Sequence, residues 1–409
     1  MSLATTSTQA PLLKRIYGND VAKPLYEKSR FFANVTKDTK FVGKLREIVT
    51  NIAPTAGGGP DFAEAVAAQS PTTEKTFEVR RKREYSIFTI DNELIEVGKA
   101  GTGAVVDALK AQTDGARQLF FENISRRVWS GGGGSYGVVD ATSSGTSLVF
   151  TRRTDVIGGI NKGSRLFFAD DDGTATNPLG LRSNQAVIVD SINRHTGTLT
   201  LNATFASVGG QTGDFVFGPG AYAQAMTGLP GWCPFTAPSP GESFFGLDRT
   251  ADVTRLAGHR IPFNTDIITT LHDAGAEASL NGMTPKHFYC NPLQYRTIVD
   301  LLDNQVQISE GKGYVGYKTI TLFLATGPCE IIPEAYVPFG FGWLGDTSKF
   351  IFATAGDAPK VLTEGMGKSG LMLLPSADAW QGRLGCYGNC HVKDKDEGPG
   401  GWMAVDLAA

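Results

Sequence analysis

The chain has 409 residues, 41% hydrophobic and 19% charged, proportions that place it among folded globular proteins and exclude a disordered or membrane-embedded chain. Its formal net charge of −3 argues against gripping nucleic acid through a broad basic surface, because neutralising phosphates needs clustered Lys and Arg. The 50 glycines and 20 prolines point to many turns and β-connections, and no apolar run approaches the roughly 20 residues that span a bilayer.

In chain order, the first residues, MSLATTSTQAP, lack the charged-then-apolar pattern of a secretory signal, so a protein made and used in a cytoplasm is expected. Residues 1–40 are rich in Thr, Lys and Asn, with short apolar pieces at Leu12–Gly18 and Leu25–Phe32. Such a segment buries too little surface to order itself, which predicts an arm that orders against a neighbouring subunit.

Residues 41–90 read as a long hairpin. In Lys75–Ile90 the residues Phe77, Val79, Tyr85 and Ile87 alternate with polar ones, predicting one long strand, with Leu45–Ile52 as its antiparallel mate and the small, polar 57–73 as the tip. An isolated hairpin is marginal in water, so this one is expected to lie across another chain. The run Arg80, Arg81, Lys82, Arg83 has two readings: a solvated strand face, or charges that meet acidic groups of an adjacent subunit, since crowded like charges repel unless compensated. With Phe62, Lys75 and Glu84, these four are the expected intersubunit contacts.

Ala100–Trp129 carries Val105, Val106, Leu109, Ala116, Leu119, Phe120, Ile124 and Val128 at helical spacing, with Asp107, Lys110, Asp114, Arg117 and Glu122 largely opposite. Thr102 is the expected N-cap of a helix about 40 Å long, stopped by the SGGGG of 130–134. From 134 to 222 the composition changes to short β-like strings separated by Gly, Asp and Asn turns, as in an inserted small β-barrel. Beyond the GLPGW of 228–232, a helix is expected over Arg260–Ala278, a strand over His287–Pro292 and a Pro-opened helix over Pro292–Asn304.

Chemistry-bearing motifs fail on context. Gly133, Ser135 and Gly137 fit G-x-S-x-G, but the serine follows a helix inside a glycine linker, whereas a nucleophile elbow needs a strand before it and a helix after it. Gly311, Gly313 and Gly316 fit G-x-G-x-x-G in the wrong order of elements for a pyrophosphate cradle, and the Gly367, Lys368, Ser369 string has Leu362 where a phosphate loop needs glycine. Asp170, Asp171 and Asp172 lack the alternate spacing of a calcium loop and suit a β-turn. The five histidines show no metal-ligand pairing. Cys233, Cys290, Cys329, Cys386 and Cys390 sit mostly in apolar strings, which suits packed thiols. Cys386, Cys390 and His391 form C-x3-C-H with no second ligand pair downstream. No catalytic, cofactor-binding or metal-ligating residue is assigned.

Taken in sequence, FTIDNELIEV (Phe88–Val97) before the long helix, GLPGW after the β-rich insert, HFYCNPLQYRTIVDLL, and ITLFLATGPCEIIPEAYVPFGFGWLGD (Ile320–Asp346) resemble the tailed-bacteriophage major capsid proteins with the Hong Kong 97 fold. LLKRIYG followed by FFANVTKDTKFVGK is similar to the arm of one branch of that family. The resemblance covers most of the chain outside 134–222 and rests on the order of loose motifs.

It implies an α+β fold divided into an arm (1–40), an extended hairpin loop (41–90), a peripheral domain with the spine helix (91–133), an inserted β domain (134–222), the peripheral continuation (223–263), an axial domain (264–349), peripheral return strands (350–380) and an axial C-terminal segment (381–409). It further implies hexamers and pentamers of an icosahedral shell, located in the virion and assembled in the host cytoplasm. The shell would enclose double-stranded DNA, read no sequence and involve no membrane. No built-in scaffold extension is visible, which implies a separate scaffolding protein or prior cleavage; portal and decoration proteins are further expected partners. Lys75 and Lys82 have no matching partner asparagine, so covalent cross-linking is not expected. Competing readings are an encapsulin-like compartment with enzyme cargo, and, from another class, a β-rich glycan-binding protein or hydrolase.

Overall fold

The structure, a computed structural model, describes residues 29–53, 55–92, 104–175, 178–302, 320–356, 358, 360–361, 371–375, 377–393 and 398–407, with the backbone alone over 104–111. The Leu12–Gly18 piece, Thr102, Gly311 to Gly316 and Gly367 to Ser369 lie outside the described residues, as do the side chains of Val105, Val106 and Leu109.

The central sheet is built on one 14-residue strand, Ala379–Val392. Lys82–Asp91 pairs antiparallel along one edge, with Arg83 opposite Tyr387 and Phe88 opposite Gly382. Phe350–Thr354, Lys360–Val361 and Met372–Leu373 pair along the other edge, and Thr36–Asp38 adds a parallel strand outside Phe350–Thr354. The long helix, Ala104–Val128, lies against one face of this sheet. Ala116, Phe120, Ile124 and Val128 recur every four residues, and with Phe88, Ile90 and Leu384 they enter a single apolar core. At about 1.5 Å per residue its 25 residues span about 38 Å. It ends where Ser130 Oγ donates to the Arg127 carbonyl (2.9 Å) and Gly132 adopts φ 99°, a conformation costly for any residue with a Cβ.

A second six-stranded sheet runs His259–Ile261, Trp402–Asp406, Phe341–Gly345, His287–Cys290, Gly327–Pro333, Ile320–Leu324. Helices Ile267–Leu280 and Pro292–Leu302 cover one face through Leu271, Ala274 and Ile298. Alternate residues point the other way, so Tyr289, Trp343 and Trp402 join the central core, where Trp129 meets Phe31 at 4.7 Å and Trp343 at 5.5 Å between ring centres. The indole nitrogens of Trp232 and Trp343 donate to Cys390 O and Cys233 O, both at 3.0 Å, which satisfies the polar end of each buried ring.

Residues 135–217 form a third sheet of six short strands with its own core around Phe168, Val189 and Val216. Its two end strands, Ser135–Val138 and Ser147–Val149, are joined by a bridge between Val139 and Phe150, and Thr151 N donates to Val138 O at 3.0 Å, so the sheet curls round until its edges meet. The segment enters and leaves the body at one point: Ala223 N donates to Gly133 O at 2.8 Å.

Several expectations are corrected. Residues 29–40 are not a projecting arm: Phe31, Phe32 and Val35 are buried in the chain's own aromatic core. Lys75–Ile90 is not one strand but two, Thr73–Arg80 and Lys82–Asp91, broken at Arg81. The buried side chains shift from odd positions (Phe77, Val79) to even ones (Ser86, Phe88, Ile90), a one-residue slip that a continuous strand cannot make. The helix expected over 260–278 begins at Ile267, where Asp266 accepts from Thr269 N. Residues His259–Ile261 instead pair in parallel with Trp402–Asp406, so they belong to the second sheet. The boundary drawn at 380/381 falls inside the strand Ala379–Val392.

Candidate functional site

The hairpin pairs Leu45–Ala53 with Thr73–Arg80, Leu45 opposite Arg80 at the base and Ala53 opposite Thr73 at the far end. Its base half is anchored in its own chain. Ile48, Phe77 and Val79 are buried, Phe77 packs on Trp232 (5.2 Å), and Glu78 N donates to Phe245 O at 2.8 Å. The expectation that the whole hairpin needs another chain for support is therefore corrected for this half.

The tip behaves differently. Asp61 Oδ1 accepts from Ala63 N (2.8 Å) and Glu64 N (3.1 Å), capping a short helix Phe62–Ala67 that buries none of its residues. Phe62 is 85% exposed and Val66 54%. One turn apart, they stand side by side about 6 Å from each other. Residues 55–74 carry Asp61, Glu64 and Glu74 and no Lys or Arg, so the tip is acidic with an apolar ridge.

The expected contact residues divide by strand parity. Lys82 and Glu84 turn inward. Lys82 Nζ donates to Ala223 O at 2.9 Å, and burial followed by the charge of Arg80 lowers its pKa. Glu84 lies 3.6 Å from Arg127 Nε, with side-chain exposures of 13% and 4%. Both residues tie the strand to its own body. Lys75 and Arg80 are exposed on the ribbon, and the Arg80 carbonyl accepts from Asn389 Nδ2 at 2.9 Å.

Arg83 turns outward with Tyr85 and Ile87, which are 43% and 56% exposed. These two were expected in the strand's apolar face; the buried apolar pair is Phe88 and Ile90. Beside them in register stand Arg383, opposite Ile87, and Tyr387, opposite Arg83. Tyr85 meets Tyr387 edge to face at 5.9 Å, and the Arg81 guanidinium lies 6.0 Å from the Tyr387 ring centre. Lys360, opposite Gly385, is exposed on the same face. Asp91 stands at its far end, eight residues from Arg83. Arg383 and Tyr387 are functional candidates that sequence reading missed. Their only signal is strand alternation in 379–392, hidden there because both faces of much of that strand are buried.

The motif residues lie elsewhere. Ser135 Oγ accepts from Gly137 N at 3.1 Å within its own turn. Asp171 accepts from Gly173 N, Leu179 N and the Tyr222 hydroxyl, while Asp170 and Asp214 bind Arg182, so these three acids are spent within the β-rich segment. Cys386 and Cys390 face the core, and alternation sends His391 to the opposite side of the strand. All five cysteines are buried and unpaired, and burial pushes their thiols up, Cys233, Cys329 and Cys386 to about 12. Among the described residues no group of three or more His, Cys, Asp or Glu could hold a metal ion, and no helix is long and apolar enough to cross a membrane.

No family model and no curated protein matches the chain. Among solved structures it is similar to a chain of the cyanophage A-1(L) capsid asymmetric unit, at 11% identity and TM-score 0.49 over 96% of this chain and 94% of that one. It is also similar to a structure of Mycobacterium phage Bobi, at 11% identity and TM-score 0.43 over 99% of both chains, and to the capsid of an empty GTA particle, at 7% identity and TM-score 0.45 over 94% and 90%.

Proposed function

We propose that this chain is a capsid shell protein, the major capsid protein of a tailed double-stranded DNA bacteriophage. In this reading copies assemble head to tail into hexamers and pentamers of a closed shell, and the chain catalyses nothing. The observation that carries it is the hairpin: a ribbon rooted in its own core that ends in a capped, acidic helix with every residue out of its own core. A capped helix presenting Phe62 and Val66 to water is stabilised when a second surface covers them, at roughly 25 cal/mol per Å² of apolar area removed from water.

The domain divisions are kept in this reading with four changes: residues 29–40, 82–90 and 381–392 pass to the central sheet and its core, and 259–261 to the second sheet. The central sheet and long helix then serve as peripheral domain, the second sheet with its two helices as axial domain, and 134–222 as an inserted barrel-like domain. The net charge of −3 suits a wall that encloses DNA without gripping it. A scaffolding protein, a portal and a decoration protein are the partners such a shell calls for, with assembly in the host cytoplasm.

The test is to replace 57–70 with a two-residue turn. The shortened chain is expected to fold, since none of the removed residues is buried in the core, and to remain unassembled under conditions where the full chain forms particles sedimenting far ahead of the monomer. Particles formed equally by both chains would overturn the role given to the tip.

A further inference from the structure

We propose that residues 152–159 form a releasable latch that holds the inserted β domain closed against the body, with Asp155 the acid that makes its release depend on pH. This goes beyond the shell reading and does not depend on it.

The domain is attached in two different ways. One attachment is the covalent crossing, where Ala223 N donates to Gly133 O at 2.8 Å and Gly132, Gly134 and Ala223 hold φ of 99°, 95° and 56°. The other is the turn 152–159, held by side chains. The Arg152 guanidinium lies 5.0 Å from the ring centre of Phe341, which is itself stacked on Phe235 at 3.8 Å. A Cβ on Gly158 would overlap the Tyr336 ring, so glycine is what lets the turn come this close. Gly159 N donates to Glu122 Oε2 at 3.2 Å, and the Ile157 and Gly158 carbonyls accept from Arg126 at 3.0 Å each. A cleft of about 600 Å³ runs along this junction, with Arg152, Thr154 and Asp155 on the domain's side and Phe235, Tyr336 and Phe341 on the body's side. A domain tied by a crossing at one place and by side chains at another pivots about the first when the second lets go.

Asp155 sits inside the latch, against Gly137, where a Cβ would overlap its carboxylate. Arg126 of the long helix and Arg152 of its own turn supply the charges that act on it. The other titratable or charged groups of the surrounding walls are Glu122 and Arg127 on the helix, Tyr136 on the first strand of the domain, Arg153 on the turn, Asp172 across the cleft, and Tyr336 with Glu334 on the body. Burial raises the pKa of Asp155 from 3.8 to about 6, and the two arginines offset only part of this. When the turn is released, water reaches the carboxyl and the ordinary value returns. The closed latch therefore keeps a proton that the open one gives up, so closure is strongest below about pH 4 and weakens as pH rises through 6. Between those limits the ratio of open to closed changes by up to about a hundredfold.

The test uses the full, unassembled chain carrying Thr154→Cys. The Thr154 hydroxyl is buried with no hydrogen-bond partner among the described residues, so a thiol in its place is protected until the latch opens. Its rate of reaction with dithiodipyridine is divided by that of Leu179→Cys, 76% exposed on the same domain, which cancels the intrinsic pH dependence of a thiol. The native Cys386, buried in the central core, reports unfolding of the whole chain. The ratio is expected to rise about tenfold between pH 5 and pH 8 while Cys386 stays unreacted. Asp155→Asn keeps the shape of the protonated acid and is expected to hold the ratio at its acid value throughout. Arg152→Ala takes the cation off Phe341 and is expected to raise the ratio about threefold or more at pH 5. A ratio that ignores pH, a rise that survives Asp155→Asn, or a ratio unmoved by Arg152→Ala would overturn the proposal, as would a thiol at 154 that reacts no faster than Cys386. The measurement needs no particles, so its failure leaves the shell reading standing.

Discussion

Glu334 is buried beneath the helix Arg30–Asn34, where Oε2 accepts from Ser29 Oγ (3.2 Å) and Phe31 N (3.5 Å). Burial pushes its pKa from 4.5 up to about 7, outweighing the pull of those hydrogen bonds and of the Arg30 charge. Between those values the folded protein holds a proton that the unfolded chain has released. The stability this confers is fully present below about pH 4.5 and is lost as pH rises through 7. Glu334→Gln keeps the acceptor and removes the charge. It is expected to raise the melting temperature at pH 8, by an amount equivalent to up to about 3 kcal/mol, and to change it little at pH 5. Equal effects at both pH values would contradict the assignment.

Two neighbours on one strand should behave oppositely. Glu84→Ala strands Arg127, 4% exposed, without its carboxylate and is expected to cost about 3 kcal/mol in denaturant unfolding of the unassembled chain. Arg83→Ala removes a solvated cation and should stay within about 0.5 kcal/mol in that assay. Similar losses for both would mean that the strand does not divide by parity as described.

Among elements, the β-rich segment 134–222 has its own core and leaves the body where Ala223 N meets Gly133 O. Its attachment runs through the last turn of the long helix. Arg126 donates to the Ile157 and Gly158 carbonyls (3.0 Å each) and to that of Tyr136, and Arg127 Nη1 donates to Gly134 O at 2.8 Å. Cations at a helix C-terminus are placed where the peptide dipole favours them. A chain with 134–222 replaced by a two-residue link is expected to fold and to melt cooperatively, measured by circular dichroism. Failure to fold would show that the body depends on the segment. Particles of normal stability from this variant would exclude a role in stabilising contacts between neighbouring capsomers.

Elements with a single strong period were legible in the sequence: the long helix from its four-residue repeat of Ala116, Phe120, Ile124 and Val128, and the helix at Pro292 from its opening proline. Elsewhere two signals competed. In Ser86–Ile90 both Ile87 and Phe88 are apolar, so alternation alone does not say which faces the core; the pairing with Ala379–Val392 decides, and that is a contact across nearly 300 residues. Residues 29–35 read as arm because a five-residue helix carries little local signal, yet Phe31 and Phe32 are held by rings from 129, 289, 350 and 352. Of the candidate site, the hairpin and its basic run were visible, whereas the division of that run into inward anchors and an outward face was not.

For the whole molecule, a body with two large sheets around one aromatic core carries a hairpin tip whose apolar residues Phe62 and Val66 are left uncovered among the described residues. Shell assembly is the central expectation for this chain. Electron microscopy of the purified full chain, alone and with a scaffolding partner, measures it most directly. Closed icosahedral particles are expected, their capsomers rings of five and six copies. Dispersed monomers of about 44 kDa under all such conditions, with the tip folded onto its own body, would contradict it.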